Sequence, residues 1–267
     1  MAAAWADFLQ GSPSPGHAVQ VYQDAGELAD SVGAYLAAGF EAGEPAVVVA
    51  TSEHWPLFAA ELARRGWHAA ELDAQDLLTV ADAEATLGTF MDGAVPSARR
   101  FEQVVGGLVD RAAERRPGRH VRAFGDMVDV LCRQGDPEAA LAVEELWTEL
   151  ARTRRFSLLC GYRLDLFDRA SQLAPLPGVC RAHTHVRPAG DPARLARAVD
   201  LALEEVLGPT QAGKVYVLIA DQARDERVPV AQLALMWVSA HMPVFADRVL
   251  AAARAHYADQ PLVSPAG

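Results

Sequence analysis

The sequence predicts an α/β protein in which helices sandwich a mainly parallel sheet, followed by a smaller, mainly helical C-terminal segment. Strand and helix patterns alternate along residues 17–162, at a spacing that favours right-handed crossovers between parallel strands. Val47, Val48 and Val49 form a continuous apolar run, which is typical of a central strand covered on both faces. Leu28, Val32 and later apolar residues recur at helical spacing behind Asp24, a helix-capping residue type.

The chain organisation follows from the residues that break these patterns. Residues 12–16 are rich in proline, serine and glycine, so residues 1–16 are predicted to be a flexible lead-in. The α/β domain is assigned to residues 17–187, and Pro188–Gly190 marks its boundary. A mainly helical segment is assigned to residues 191–260.

Five further segments each carry a prediction of their own secondary structure. Residues 97–117 predict the most regular helix of the chain, and Pro229–His241 and Val244–Tyr257 predict two helices separated at Pro243. Val179–Val186 is interpreted as a last extended segment. Lys214–Ala220 is predicted to be a strand.

Composition limits the classes of partner. The chain has 267 residues, 51% hydrophobic and 22% charged, as expected for a folded protein. Its net charge is −11, and Lys214 is the single lysine among 24 basic residues. Nucleic-acid binding depends on clustered cations, so this balance disfavours a nucleic-acid partner.

The sequence also predicts a compartment. No secretory signal pattern and no apolar run of the ~20 residues needed to cross a bilayer are visible, so a membrane partner is not expected. Cys132, Cys160 and Cys180 have no disulfide-framework spacing, which favours free thiols in the cytoplasm.

The first strand–helix turn lacks the residues that bind phosphate. A P-loop supplies glycines followed by Lys and Ser/Thr, because bare amides and one ammonium group cradle the phosphates. Here the turn 23–27 has one glycine and no lysine, and the carboxylates of Asp24 and Glu27 would repel a triphosphate. The turn therefore argues against ATP hydrolysis, and no cofactor is predicted.

Candidate ligand-binding residues lie mainly at the ends of the predicted strands, where open parallel sheets bind ligands at their carboxyl edge. The set is His17, Tyr22, Asp24, Thr51, His54, Phe124, Asp126, Cys160 and Tyr162. Tyr22, Phe124 and Tyr162 are interpreted as an apolar wall, with Asp126 and Cys160 as polar points; the alternative is that the aromatics are ordinary core. His17 either bonds to backbone or contacts the ligand.

Metal and nucleophilic chemistry are weaker hypotheses. Cys180, His183 and His185, with Cys160 as a fourth ligand, resemble a metal set but lack a second paired motif, so no metal is predicted. No Gly-x-Ser-x-Gly elbow occurs, and Cys160 lies in an apolar strand that raises a thiol pKa. No catalytic residue is assigned, and the protein is not expected to be an enzyme.

Several short motifs in order resemble the MEDS domain, a sensory module named for methanogen and methylotroph proteins and for the dichloromethane regulator. The resemblance runs from about His17 to Val186. It rests on His17-x4-Tyr22, Gly43-Glu44 before PAVVVAT, Phe90-Met91-x-Gly93, Phe124-Gly125-Asp126-Met127-Val128, Glu145-Leu146-Trp147, LLCGY at 158–162, and His183 with His185. Family members more often carry Glu at the position of Asp126.

The resemblance implies a RecA/KaiC-like fold whose P-loop has been lost. It further implies a non-catalytic sensor of a small organic ligand, suspected to be a hydrocarbon derivative, that acts in transcriptional or two-component regulation. Such domains are often joined to a helix-turn-helix or histidine-kinase output, and neither is recognised in this sequence.

Two other functions stay open. The first is an interaction scaffold for a kinase, an anti-sigma factor or a second copy of the chain, with Trp237 or Phe245 as an exposed anchor on the C-terminal helices. The second is a residual nucleotide-binding, ATPase-like protein, which would have to hold phosphate without the P-loop lysine and hydroxyl.

Overall fold

A computed structural model describes residues 2–11, 16–224 and 227–259, with side chains from Trp5 onward. The strands are β1 His17–Tyr22, β2 Ala46–Ala50, β3 Leu78–Asp82, β4 Met91–Asp92, β5 Val95–Pro96, β6 Val121–Gly125, β7 Phe156–Arg163 and β8 His185–Arg187. The helices are α1 Ala2–Gln10, α2 Ala25–Glu41, α3 Trp55–Arg64, α4 Ala69–Ala74, α5 Ala83–Phe90, α6 Ala98–Phe101, α7 Gly107–Arg115, α8 Met127–Arg133, α9 Pro137–Thr153, α10 Arg169–Leu173, α11 Pro175–Ala182, α12 Pro192–Leu207, α13 Pro209–Ala223, α14 Val230–His241 and α15 Pro243–Asp259.

The main sheet confirms the predicted fold class. Its strand order is β3-β2-β6-β7-β1-β8, and β3, β2, β6, β7 and β1 pair in parallel. Every residue of β2 and β6 is buried, as the apolar run of the central strand predicts. A separate hairpin pairs β4 with β5. The strands whose carboxyl ends carry the predicted site residues are therefore neighbours.

Strand register decides which side chains share a face of this sheet. Cα partners of β1 and β7 are His17 with Leu158 and Val19 with Cys160. Side chains alternate between faces along a strand, so His17 and Cys160 point to one face, and Tyr22 points to the other. Trp147 of α9 lies beside Gly125 on the first face, and Leu28 of α2 lies beside Gly161 on the second.

A buried arginine connects the sheet to the N-terminal helix. Arg122 of β6 donates to Glu44 Oε2 at 2.7 Å and to the carbonyls of Leu9, Tyr35 and Gly11 at 2.8, 2.8 and 2.9 Å. α2 passes over it at Gly39, where an added Cβ would lie 2.5 Å from Arg122 Cδ. The segment predicted as a flexible lead-in thus contains α1; its residues 12–15 lie outside the described chain.

One predicted extended segment is helical throughout, and a second is helical in its first half. Lys214–Ala220 lies within α13, where Pro209 occupies the first turn and the apolar residues divide between buried Val215 and Ile219 and exposed Val217 and Leu218. The first half of Val179–Val186 belongs to α11, and its last two residues, His185 and Val186, lie in β8. In α11, Pro175 and Pro177 stand in the first turn, where a missing amide donor is tolerated.

The predicted long helix 97–117 contains one irregularity. A π-helical turn at Glu102–Gly106 separates α6 from α7, and it ends within the Gly106-Gly107 pair. Glycine lowers the cost of leaving regular helical geometry. The apolar stripe still reaches the core through Phe101, Val105 and Val109.

The described chain divides into two compact units. One comprises residues 3–163 and 182–185. The other, called the C-terminal unit, comprises residues 1–2, 164–181 and 186–267 as far as they are described. Within the described residues, every helix is too short or too polar to traverse a lipid bilayer.

Candidate functional site

Polar side chains converge at the carboxyl edge of the sheet and are almost completely buried. We call this set the edge network: Tyr22 at the end of β1, Thr51 and His54 after β2, Asp126 after β6, and Asp129 in the first turn of α8. Each is at most 2% exposed. Because parallel strands end at the same edge, residues far apart in the chain meet here.

Asp126 is the centre of the edge network. Its Oδ2 atom accepts hydrogen bonds from the Thr51 amide at 3.1 Å, the Thr51 hydroxyl at 3.0 Å and His54 Nδ1 at 2.6 Å. The Thr51 hydroxyl in turn accepts from the His54 amide at 3.2 Å. Among the described residues, no group donates to Asp126 Oδ1, although this atom is buried. A buried carboxylate oxygen normally has a donor, so this oxygen has room for one more partner.

Tyr22 links the second ring nitrogen of His54, Nε2, to Asp129. The Tyr22 hydroxyl donates to Asp129 Oδ2 at 3.0 Å and lies 3.2 Å from His54 Nε2. The hydroxyl has one proton, so while Asp129 accepts it, His54 must donate through Nε2 as well as Nδ1. If Asp129 holds a proton itself, Tyr22 donates to His54 instead. The network therefore shares one proton between His54 and Asp129.

The pKa shifts agree with this shared proton. Burial lowers the pKa of His54, but the hydrogen bond to Asp126 and the charges of Asp126, Asp129 and Glu53 outweigh it, so the pKa is raised from 6.5. Burial raises the pKa of the Asp129 carboxyl. Burial and the two aspartates raise the pKa of Tyr22 well above its ordinary value. Tyr22 therefore acts as a neutral hydrogen-bonding group and not as a phenolate.

His54 predicts a pH dependence of stability. Its pKa is raised on folding, so its contribution is fully present below the unfolded value near 6.5 and is lost as pH rises through the folded pKa. We expect the free energy of unfolding to fall as the pH rises across this interval. Urea denaturation between pH 5.5 and 9 measures it.

The matched variants are His54→Gln, which does not titrate, and His68→Gln, which changes an exposed histidine. The fall should be absent from the first and retained in the second. An identical pH profile in wild type and His54→Gln would contradict the assignment.

A second buried cluster lies on the opposite face of the sheet, under α9. We call it the Glu144 cluster: His17, Glu144, Cys160, Tyr162 and His183. Glu144 Oε2 lies 3.0 Å from His17 Nε2, and Glu144 Oε1 lies 3.4 Å from His183 Nε2 and accepts from the Tyr162 hydroxyl at 2.8 Å. Cys160 Sγ lies 3.5 Å from His17 Nε2 and 3.7 Å from Glu144 Oε2.

The pKa shifts in the Glu144 cluster favour an ionised Glu144 carboxylate beside a neutral Cys160 thiol and a neutral Tyr162 phenol. Burial opposes ionisation of Glu144, but His183 and His17 lower its pKa well below the ordinary range. Burial and Glu144 raise the pKa of the Cys160 thiol and of Tyr162. Burial and His183 lower the pKa of His17.

The sequence-predicted residues fall into four environments. Tyr22, Thr51, His54 and Asp126 meet in the edge network, whereas His17, Cys160 and Tyr162 meet in the Glu144 cluster. Phe124 packs edge-on against Phe58 in the core, with ring centroids 4.9 Å apart. Asp24 is exposed and caps α2 by accepting a hydrogen bond from the Gly26 amide. Direct ligand contact by these residues stays a prediction.

Sequence reasoning missed Asp129 and Glu144. Asp129 follows Asp126 by three residues, which places both at the start of α8. Glu144 stands in the buried stripe of α9 with Ala140, Val143 and Trp147, at helical spacing. The sequence signal for Glu144 is a carboxylate within an apolar helical stripe. Such a carboxylate indicates a buried polar partner, because burying it alone is unfavourable.

A cleft of about 320 Å³ lies between α5 and α8 on the carboxyl side of the sheet. These helices begin directly after β3 and β6. The cleft is lined by Glu84, Leu87, Gly88, Met91, Gly93, Val130, Leu131 and Gln134. The same helix α8 thus carries cleft residues and, in its first turn, the aspartates of the edge network.

A larger cavity of about 550 Å³ lies within the C-terminal unit. Its lining combines apolar residues of α14, including Leu233, Met236 and Trp237, with Cys180 of α11 and polar residues such as Arg181. Trp237 is partly buried and stacks on His241, with ring centroids 4.8 Å apart.

Comparison with known families agrees with the motifs. The family model described as the MEthanogen/methylotroph, DcmR Sensory domain (MEDS) matches residues 16–183, which include the edge network, the Glu144 cluster and the α5–α8 cleft. No curated protein matches the chain. The match covers more than half of the sequence, and the parallel sheet flanked by helices agrees with it. This chain belongs to the MEDS sensory domain family.

Proposed function

We propose that this protein is a non-catalytic sensor that binds a small organic ligand in the α5–α8 cleft and passes the signal to a regulatory protein partner. One observation carries the proposal: α8 lines the cleft with Val130, Leu131 and Gln134 and begins with Asp126 and Asp129 of the edge network. A ligand that shifts α8 would alter hydrogen bonds that join three strands. The proposed partner acts in transcriptional or two-component regulation.

The lining indicates the class of ligand. Leu87, Met91, Val130 and Leu131 supply apolar surface, and Glu84 and Gln134 supply polar groups, as in sites for small organic molecules. The volume of about 320 Å³ suits a compact molecule. The carboxylate of Glu84 disfavours anions, so we expect a neutral or cationic ligand and not a nucleotide.

The protonation states of the cysteine thiols and of Tyr22 support the proposal that the protein is not a catalyst. Burial raises the pKa of Cys132 and of Cys180 to about 12, and it raises the pKa of Cys160 well above its ordinary value. These thiols are therefore protonated at neutral pH, whereas a catalytic cysteine acts as a thiolate. Tyr22 ends the Asp126–His54 chain, but its raised pKa makes it a poor nucleophile.

A larger side chain at Gly88 tests whether the ligand binds in the α5–α8 cleft. Gly88 lies in α5, and a Cβ added there meets no atom within 4 Å, so Gly88→Leu is expected to occupy the cleft without displacing backbone. Replacing a helix glycine also favours folding by up to ~1 kcal/mol. We expect a halogenated or aromatic organic compound to raise the melting temperature of wild type and not of Gly88→Leu.

The control is Gly213→Leu in α13, where the added Cβ is equally unobstructed. It should respond to ligand as wild type does. Stabilisation by ATP with magnesium, or an undiminished response in Gly88→Leu, would contradict the proposal. The second outcome would direct attention to the cavity beside Trp237.

A further inference from the structure

We propose that His17, Glu144, Cys160 and His183 form a binding site for one divalent transition-metal ion of the zinc class. Each residue offers one ligand atom, and these atoms all lie within 4.8 Å of one another. The residues come from β1, α9, β7 and the segment after α11. Two imidazoles, a thiolate and a carboxylate are the ligand types that zinc uses in proteins.

The distances already approach those of a tetrahedral site. With Zn–N near 2.0 Å and Zn–S near 2.3 Å, tetrahedral ligand atoms lie ~3.3–3.8 Å apart. Cys160 Sγ lies 3.5 Å from His17 Nε2 and 3.7 Å from Glu144 Oε2. His183 Nε2 lies 3.4 Å from the other carboxylate oxygen, Glu144 Oε1, and the four residues each offer a ligand atom within 4.8 Å of the others. His17 Nε2 and Glu144 Oε2 are closer, at 3.0 Å. Small side-chain movements would open the centre to an ion.

Charge and burial favour the same conclusion. A divalent ion bound by the Glu144 carboxylate, the Cys160 thiolate and two neutral imidazoles is electrically neutral, so a buried site carries no net charge. The Cys160 thiol must release its proton on binding, as metal-bound thiols do. Glu144 and His183 side chains are fully buried, and the His17 side chain is 12% exposed, which provides an entry route.

A supporting residue orients the carboxylate. The Tyr162 hydroxyl donates to Glu144 Oε1 at 2.8 Å. Partners of this kind fix the orientation of a metal ligand, and their removal weakens binding ~10–100-fold. The sequence pattern groups Cys160 and His183 with Cys180 and His185. The structure instead brings the first two together with His17 and Glu144.

Cobalt titration of the full-length protein, after chelator treatment and under reducing conditions, tests the site directly. We expect one equivalent of Co²⁺ per chain, with the visible absorption of tetrahedral cobalt and a thiolate-to-cobalt band in the near ultraviolet. Zinc should displace the cobalt and abolish both signals. Wild type that binds less than half an equivalent, or binds without a thiolate band, would overturn the proposal.

Variants identify the ligands. Cys160→Ser should lose the thiolate band, Cys132→Ser should retain the wild-type spectrum, and Tyr162→Phe should keep the spectrum with ~10–100-fold weaker binding. If Cys160→Ser does not fold, His183→Gln should still bind at least tenfold more weakly than wild type. A thiolate band that Cys132→Ser removes would place cobalt elsewhere and refute the site.

Discussion

Replacing Asp126 with alanine is expected to destabilise the protein by about 3–5 kcal/mol, because it removes the acceptor of a buried ion pair and leaves the partner uncompensated. Asp126 Oδ2 accepts three hydrogen bonds from Thr51 and His54, and both residues are at most 2% exposed. The Thr51 amide and the His54 imidazole would remain in the interior without this acceptor. Chemical denaturation followed by circular dichroism measures the loss.

Two further variants separate charge from local helix capping. Asp126→Asn keeps an acceptor of the same size but removes the charge, so a smaller loss is expected. Asp82→Ala removes an exposed aspartate that caps α5 at the same edge of the sheet, and should cost about 1 kcal/mol. If Asp126→Ala cost no more than Asp82→Ala, the edge network would not stabilise this edge.

Replacing Arg122 with methionine is expected to lower the free energy of unfolding by a similar amount, about 3–5 kcal/mol. The substitution removes one buried ion pair and three hydrogen bonds to backbone carbonyls, two of which come from α1 and the residue after it. Glu44 would then be a buried carboxylate without its cation. Denaturation measures the loss, and amide hydrogen exchange should increase first in α1.

The buried charge can be tested with a double variant. Arg122→Met with Glu44→Gln removes both charges and should recover part of the stability, because contacting residues are not additive. Arg152→Met changes an exposed pair with Glu149 and should cost at most about 1 kcal/mol. Equal losses in Arg122→Met and Arg152→Met would show that burial of the pair does not matter.

Much of the sheet was predictable because its signals are local. The valine run of β2 and the turn residues that separate the helices predicted a parallel α/β fold, and the parallel pairing confirms it. The same local reasoning was wrong at Lys214–Ala220, where β-branched residues satisfy strand and helix patterns alike. Only packing, with Val215 and Ile219 inward and Val217 outward, selects the helix.

Candidate site residues were predicted as one set, but the structure divides them. Tyr22 and Cys160 lie on adjacent strands, and their side chains point to opposite faces of the sheet. One-residue differences in register decide this assignment, and no single strand encodes its register with a neighbour. Asp129 and Glu144 were missed because each is a single carboxylate on a helix, without a motif to indicate its partner.

The sequence by itself determined the alternation of strands and helices along residues 17–162 and the membership of residues 16–183 in a sensory family. Those properties depend on neighbouring residues in the chain. The tertiary structure alone decided that His54 meets Asp126 and that His17 meets Glu144, which are 72 and 127 positions apart. Such pairs form because parallel strands and their helices bring distant segments into one interior, where a buried charge is stable only beside a partner.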